Sequence, residues 1–303
     1  MTHTTSRLTL RQREAIACAC FIAPAVLGFM VFTAAPLLAS AWLSLTDYAL
    51  AGWPNFVGLD NYRALLEDEF WLRSVRVTVQ YAVVAVPMWL ISSLALALIM
   101  NQKLRGVAIF RTIYYLPAVL SGVATAMLWG WILNARVGIL NLTLRFVGLQ
   151  GPNWLGDEDW ALWSLILISL YTMGWYLPIW LGGLQSIPTD LYEAATIDGA
   201  GWWGRLHRIT LPMLSPTIFF NLVTGIIAAF KIFTAAYVAT GGGPYYASYF
   251  YVLHLFNNFF KYLNMGYASA LAWILFVIIM IFTAIQLRFA RRWVYYESET
   301  AGF

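Results

Sequence analysis

Charged residues divide the chain into seven long uncharged stretches, at 15–46, 77–102, 112–135, 160–189, 209–230, 232–260 and 262–287. A helix needs about 20 apolar residues to cross roughly 30 Å of hydrocarbon, where no water can satisfy any other backbone. Each stretch is therefore long enough to predict a membrane-spanning helix. The fifth and sixth are parted only by Lys231, so residues 213–240 read as one helix that stops at Gly241-Gly242-Gly243-Pro244. Six spans result. Residues 245–260 are crowded with Tyr and Asn, whose polar groups are costly in lipid, and read as an interfacial or re-entrant segment. The first stretch is too long for a secretory signal core and lacks its small-residue cleavage site, so it is expected to be retained as a span.

Composition narrows the class. Of the 303 residues 61% are hydrophobic and 11% charged, against about 25% charged in a soluble domain. An ordinary soluble protein, a disordered chain and a coiled coil are excluded, and 15 Trp, 17 Tyr and 19 Phe suit aromatic interface belts. Cys18 and Cys20 sit two apart in an apolar run, neither a disulfide framework nor a zinc site. His3, His207 and His254 lie far apart without ligand spacing, so no metal or cofactor is expected. Gly182-Gly183 and Gly241 to Gly243 follow no strand and read as helix breaks or packing points. Pro24, Pro36, Pro87, Pro117 and Pro178 fall inside spans, where neighbouring helices can satisfy the freed carbonyls.

The net charge of +4 reflects orientation rather than a nucleic-acid partner. Six crossings put both termini on one side. Segments on that side hold eleven basic residues (Arg7, Arg11, Arg13, Lys103, Arg105, Arg111, Arg205, Arg208, Arg288, Arg291 and Arg292), and the opposite segments hold six. The bias predicts cytoplasmic termini. It also makes residues 186–211 the longest internal cytoplasmic loop.

That loop has the grammar of a helix, a turn and a helix. Asp190 is placed to cap the first helix, with Glu193 three residues on completing a capping box, and Gly199 suits the left-handed position that ends it. A second piece, 202–210, is expected to stop at Pro212. Small residues Ala194 and Ala195 beside Glu193 favour insertion into a cleft on another protein. Composition alone leaves a plain connector equally open.

The residues themselves carry a resemblance. Glu193-Ala194-Ala195, Asp198-Gly199-Ala200 and Ile209-x-Leu211-Pro212 match in spacing the EAA motif of ABC-importer permeases, with Leu206 where sugar-type members usually have Phe. Val57 to Tyr62, Tyr115-Leu116-Pro117, Thr240 to Pro244, Gly266 to Ala270 and Arg291-Arg292-Trp293 are like the carbohydrate and glycerol-3-phosphate uptake branch, so the resemblance covers roughly residues 56–296. It implies an all-α integral membrane protein with the type I importer permease fold: six transmembrane helices and a cytoplasmic coupling helix. It also implies an N-terminal region over 1–72, a core of five helices over 73–288 with the coupling loop at 186–216, and a cytoplasmic tail over 289–303.

In such permeases the coupling helix docks in a groove of a separate ATPase. By resemblance Glu193 pairs with a basic residue there, Gly199 permits the sharp turn, Leu206, Ile209 and Leu211 make apolar contacts, and Ala194, Ala195, Asp198 and Pro212 complete the set of coupling residues. No G-x-x-x-x-G-K-[ST] phosphate loop occurs in this chain. The implied partners are two ATP-binding subunits, a second permease and an extracytoplasmic solute-binding protein, in a bacterial plasma membrane, with no enzymatic activity in this chain.

Lys231 is the one charge deep in a span, where an ammonium costs about 2.5–3.5 kcal/mol. It can snorkel outward, pair with an acid of the companion permease, or face the pathway and attract an anionic solute. From another class, an ion-coupled secondary transporter would carry acids or His within its spans and often inverted repeats. The 14 acids here lie in loops or near the termini, and no repeat is evident.

Overall fold

The computed structural model describes residues 9–50, 52–102 and 105–295; Arg7, Lys103, His3, Tyr296 and the remainder of the tail lie outside the described residues. In chain order the helices are α1 Leu10–Leu43, α2 Asp60–Glu67, α3 Glu69–Met100, α4 Val107–Val119, α5 Gly122–Ile132, α6 Ile139–Phe146, α7 Glu158–Tyr171, α8 Met173–Gln185, α9 Thr189–Ile197, α10 Trp202–Arg205, α11 Ser215–Phe230, α12 Thr234–Ala239, α13 Tyr251–Phe256 and α14 Met265–Ala290. Besides helices, the described residues form an isolated antiparallel bridge, Thr46 with Phe56. Two compact units are formed, one from residues up to Leu65 with Asn258–Trp273, the other from Leu66–Asn257 with residues from Ile274 onward.

In the first unit no residue of α1 is buried, and its apolar surface is left for lipid or other chains. Glu14 lies within α1, close to its start, so not every acid is confined to a loop. Two of the resembling motifs meet here. Asn61 donates to the Ser44 and Thr46 carbonyls, both at 2.8 Å, and the Tyr62 and Ser44 hydroxyls share a 2.8 Å hydrogen bond. At the start of α14, Gly266 donates to the Tyr48 carbonyl, and a Cβ on it would lie 2.0 Å from the Thr46 oxygen. Only glycine fits that approach.

In the second unit α3 is the axis, packed by α7, α8, α11 and α13. Its buried residues, among them Val77, Tyr81, Ala85, Trp89, Ser93 and Ala97, recur at three- and four-residue steps and form one stripe. Polar groups on the stripe are paired: the Trp180 indole donates to Ser93 Oγ and the Trp89 indole to Ser169 Oγ, each at 2.8 Å. An unpaired indole N–H here would lose its hydrogen bond to water without compensation.

Four helical runs are long and apolar enough to cross a membrane alone: α1, α3, residues 215–239 and α14. The third and fourth predicted spans are instead bent pairs, α4 with α5 at 100° and α7 with α8 at 45°. Pro117 has no N–H to return to the preceding turn, and three residues later Leu120 and Ser121 go extended (ψ 149° and 131°). At the lesser bend Gly174 approaches α4 so closely that a Cβ would lie 2.0 Å from the Tyr114 carbonyl oxygen. The fifth span is interrupted as well, because Lys231 (φ −98°, ψ 9°) ends α11 before α12 begins.

Of the two readings expected for 245–260, interfacial or re-entrant, the interfacial one does not describe its middle, although Tyr245 and Tyr246 before it are exposed. Tyr249, Phe250, Tyr251, Leu253 and His254 are buried, because their polar atoms find partners within the unit. Asp68 caps α3 by accepting from the Phe70 and Trp71 amides, and its other oxygen lies 3.2 Å from His254 Nε2. His254 Nδ1 shares a 3.2 Å hydrogen bond with the Tyr249 hydroxyl, and the Tyr251 amide donates to Thr78 Oγ1 at 2.9 Å. Burial pushes the His254 imidazole below its ordinary value, while the Asp68 carboxylate opposes that shift.

Candidate functional site

The loop between α8 and α11 is built on three local devices. Pro188 (φ −58°, ψ 132°) is the residue before α9, so the helix starts at Thr189 and its N-terminus has no side-chain cap. This corrects the expected capping box. Asp190 falls inside the first turn, where its charge still complements the helix dipole, and Glu193 is left free and exposed. At the other end Gly199 takes φ +76°, its amide donating to the Thr196 carbonyl at 3.1 Å and the Ala200 amide to the Ala195 carbonyl at 2.8 Å. This is a two-bond glycine cap, and it turns the chain sharply.

The third device is a wide turn. After α10 the helix continues as a π-turn at Leu206–Thr210, then as Leu211–Met213. Pro212 therefore does not stop the second piece as expected. A π-turn bonds each amide to the fifth residue back, as Leu211 does to Leu206, and its greater width accommodates the proline ring. Two side-chain hydrogen bonds tie the halves of the loop together: Tyr192 hydroxyl with Thr210 Oγ1 at 3.0 Å, and Arg205 to Thr196 Oγ1 at 3.4 Å.

The expected site residues divide by exposure. Glu193, Ala194, Asp198, Gly199 and Pro212 are exposed, whereas Ala195, Leu206, Ile209 and Leu211 are half-buried. Leu206 joins Ala95, Leu98, Ile99 and Tyr192 in lining a cleft of about 480 Å³ beside the end of α3. The largest outward apolar surface comes from residues that sequence reasoning did not select. Ile197 is 87% exposed, Trp203 66% and Trp202 55%. The two indoles pack edge to face at 4.8 Å, with His207 over Trp203 at 5.4 Å. Their signal was present in the sequence as apolar residues flanking Gly199 and Gly201 in a water-facing loop.

Lys231 is exposed at the break between α11 and α12 and forms no ion pair among the described residues. Chain flanking this break lines a cavity of about 280 Å³ with Thr125, Ser169, Thr172 and Thr234 hydroxyl residues and the Tyr81 and Trp89 rings. Thr125 Oγ1 is buried without a partner. No linear signal could mark this set, because its members converge from α3, α5, α7 and α12. Among the described residues no group of three or more His, Cys, Asp or Glu gathers as a metal site.

Comparison with known proteins agrees with this architecture. The family described as "Binding-protein-dependent transport system inner membrane component" matches residues 89–295. A probable ABC transporter permease protein, YesP of Bacillus subtilis (strain 168), is 43% identical over 284 residues, covering 92% of each chain. The trehalose/maltose transport system permease protein MalF of Thermococcus litoralis is 35% identical, over 93% of this chain and 96% of its own. The sn-glycerol-3-phosphate transport system permease protein UgpA of Agrobacterium fabrum is 33% identical, over 91% and 94%. Among solved structures, a chain of a bacterial ABC transporter involved in the import of the acidic polysaccharide alginate has the same fold, with a TM-score of 0.82 at 22% identity over 92% of this chain and 96% of that one.

Proposed function

The chain belongs to the family of binding-protein-dependent transport system inner membrane components, as a multi-pass permease of the ABC importer class rather than an ion-coupled carrier, and from that premise we propose that its α9–α10 loop is the docking knob for a separate ATPase. One observation carries the proposal: Ile197 at the end of α9 and Trp202 and Trp203 at the start of α10 stand exposed on a loop whose first helix is ended by a glycine cap and whose two halves are stitched by two hydrogen bonds. Burying an exposed Ile side chain fully is worth about 1.5–3 kcal/mol, so a loop that leaves such groups in water gains by covering them. Rigidity matters equally, since a knob that yields would not pass motion to the spans.

In this reading Glu193 pairs with a basic side chain of the ATPase, with Ala194, Ala195 and Asp198 giving a low profile. Leu206, Ile209 and Leu211 add apolar contacts, and Pro212 completes the set just before α11. ATP hydrolysis resides on the partner, and a second permease completes the pathway. An extracytoplasmic binding protein delivers the solute. The Lys and Arg bias supports cytoplasmic termini in a bacterial plasma membrane. The core over 73–288, with the loop at 186–216, is the transporting region.

The cargo is proposed to be a sugar-type solute. Relatives named for trehalose/maltose and for sn-glycerol-3-phosphate support this class, as does the hydroxyl-lined cavity beside the α11–α12 break. Lys231 adds a positive charge at that break and favours a phosphate-bearing member of the class. The test is ATP-driven uptake by the complete reconstituted complex. Glu193→Lys should lower both solute-stimulated hydrolysis and uptake by about thirtyfold or more, the scale expected from breaking a buried charge pair, about 2 kcal/mol or above. Fully coupled transport by that variant would refute the docking role.

A further inference from the structure

Arg288, Arg291 and Arg292 at the end of α14 are exposed, and none has an acidic partner among the described residues. Arg288 and Arg291 line a groove of about 820 Å³ whose remaining wall is mostly apolar, from Phe219, Ala284, Leu287 and Val294. The groove is built rather than incidental. Beyond α14 the chain is tied back to α11: the Tyr295 amide donates to Ser215 Oγ at 2.9 Å, and the Trp293 ring meets Phe219 edge-on at 6.3 Å. Half-exposed Trp293 and Tyr295, directly after an apolar helix of 26 residues, mark the level of the lipid headgroups. The α14 C-terminus carries about half a negative charge, which three arginines outweigh.

We propose that this groove binds one anionic phospholipid, with its phosphodiester held between Arg288 and Arg291 and an acyl chain along Phe219, Ala284 and Leu287. Guanidinium forks match phosphate oxygens in pairs, and basic recesses between spans at headgroup level are where acidic lipids gain both charge pairing and apolar contact. The inference is independent of the cargo and of the ATPase contact. A zwitterionic lipid would bring its own cation against the same arginines.

Native mass spectrometry of the full chain in detergent, titrated with phosphatidylglycerol and phosphatidylcholine, tests it. One phosphatidylglycerol is expected to remain bound at concentrations where phosphatidylcholine does not. Arg288→Gln with Arg291→Gln should weaken it by about thirty-fold, the product of two arginine contacts at a charged lipid surface, and Arg288→Lys with Arg291→Lys should restore most of the affinity. Leu287→Trp, which fills the apolar wall and keeps both charges, should also displace the lipid. Equal binding of the two lipids, or undiminished phosphatidylglycerol binding in the Gln pair, would overturn the proposal. So would a comparable gain in binding on Glu297→Gln with Glu299→Gln, which would make the chain's own acidic residues the occupant.

Discussion

Two non-spanning segments of the second unit start from similar material and end in opposite states. The α9–α10 loop and the segment from Gly241 through α13 both turn at glycines of positive φ (Gly199 +76°; Gly241 +60° and Gly242 +90°), and both carry aromatics beside short helices. The second leaves Tyr245 and Tyr246 exposed at its turn but buries Phe250 and Tyr251 against α3 and pairs its His with Asp68. The first leaves Ile197, Trp202 and Trp203 exposed. The helical part of the second segment is completed by its own chain. The other, in the proposed function, is completed by a partner. Exposed apolar surface in a rigid loop is thus the more informative sign of a docking site than aromatic content itself.

The contrast predicts that substitutions in the two segments act on different quantities. The largest effect is expected from Tyr251→Ala, which removes a side chain 1% exposed and should cost about 3–5 kcal/mol of stability, read as a lowered unfolding midpoint of the detergent-solubilised chain. ATPase affinity measured below that midpoint should be unchanged. Next, Trp203→Ala should weaken ATPase binding by about thirty-fold, the scale of an aromatic hot spot, with the unfolding midpoint moved little. If Trp203→Ala instead destabilises the chain as strongly as Tyr251→Ala, the two segments do not differ as described.

Smaller effects sharpen the same line. Gly199→Ala places a Cβ in a left-handed conformation at a strain of about 1–2 kcal/mol, although nothing crowds the site. It should loosen the knob and reduce uptake per ATP hydrolysed severalfold without removing the complex. The smallest effect is a pH dependence. Because burial holds His254 below its ordinary value, the unfolded chain takes up the proton first, so this stabilising contribution is present above about pH 6.5 and is lost as pH falls below it. The unfolding midpoint should drop between pH 7.5 and 5.5, and less so in His254→Gln.

Much of this was legible from the residues. Uncharged length marked the four long apolar helices and both bent pairs, and Gly199 marked the end of α9, because hydrocarbon thickness and left-handed backbone are conditions a linear sequence can state. The breaks were less legible. Pro117 announces a disturbance but not a 100° turn, which depends on what α5 packs against, chiefly α12. Burial of Tyr249 to His254 was hidden for a related reason: polar residues read as interfacial until partners as distant as Asp68 and Thr78 are known. In the candidate site the EAA residues stood out by spacing. Trp202 and Trp203 did not, since Trp in a membrane protein is ordinarily an interface anchor, and their place on the folded loop beside the EAA residues is what marks them as candidates.

The most direct test of the docking claim is site-specific photo-cross-linking in the assembled transporter, with the cross-linker placed in turn at Ala194 of α9 and at Tyr246, both exposed. The account predicts an adduct between position 194 and the ATPase subunit and none from position 246. An ATPase adduct from position 246, or none from position 194 in an actively transporting complex, would contradict it.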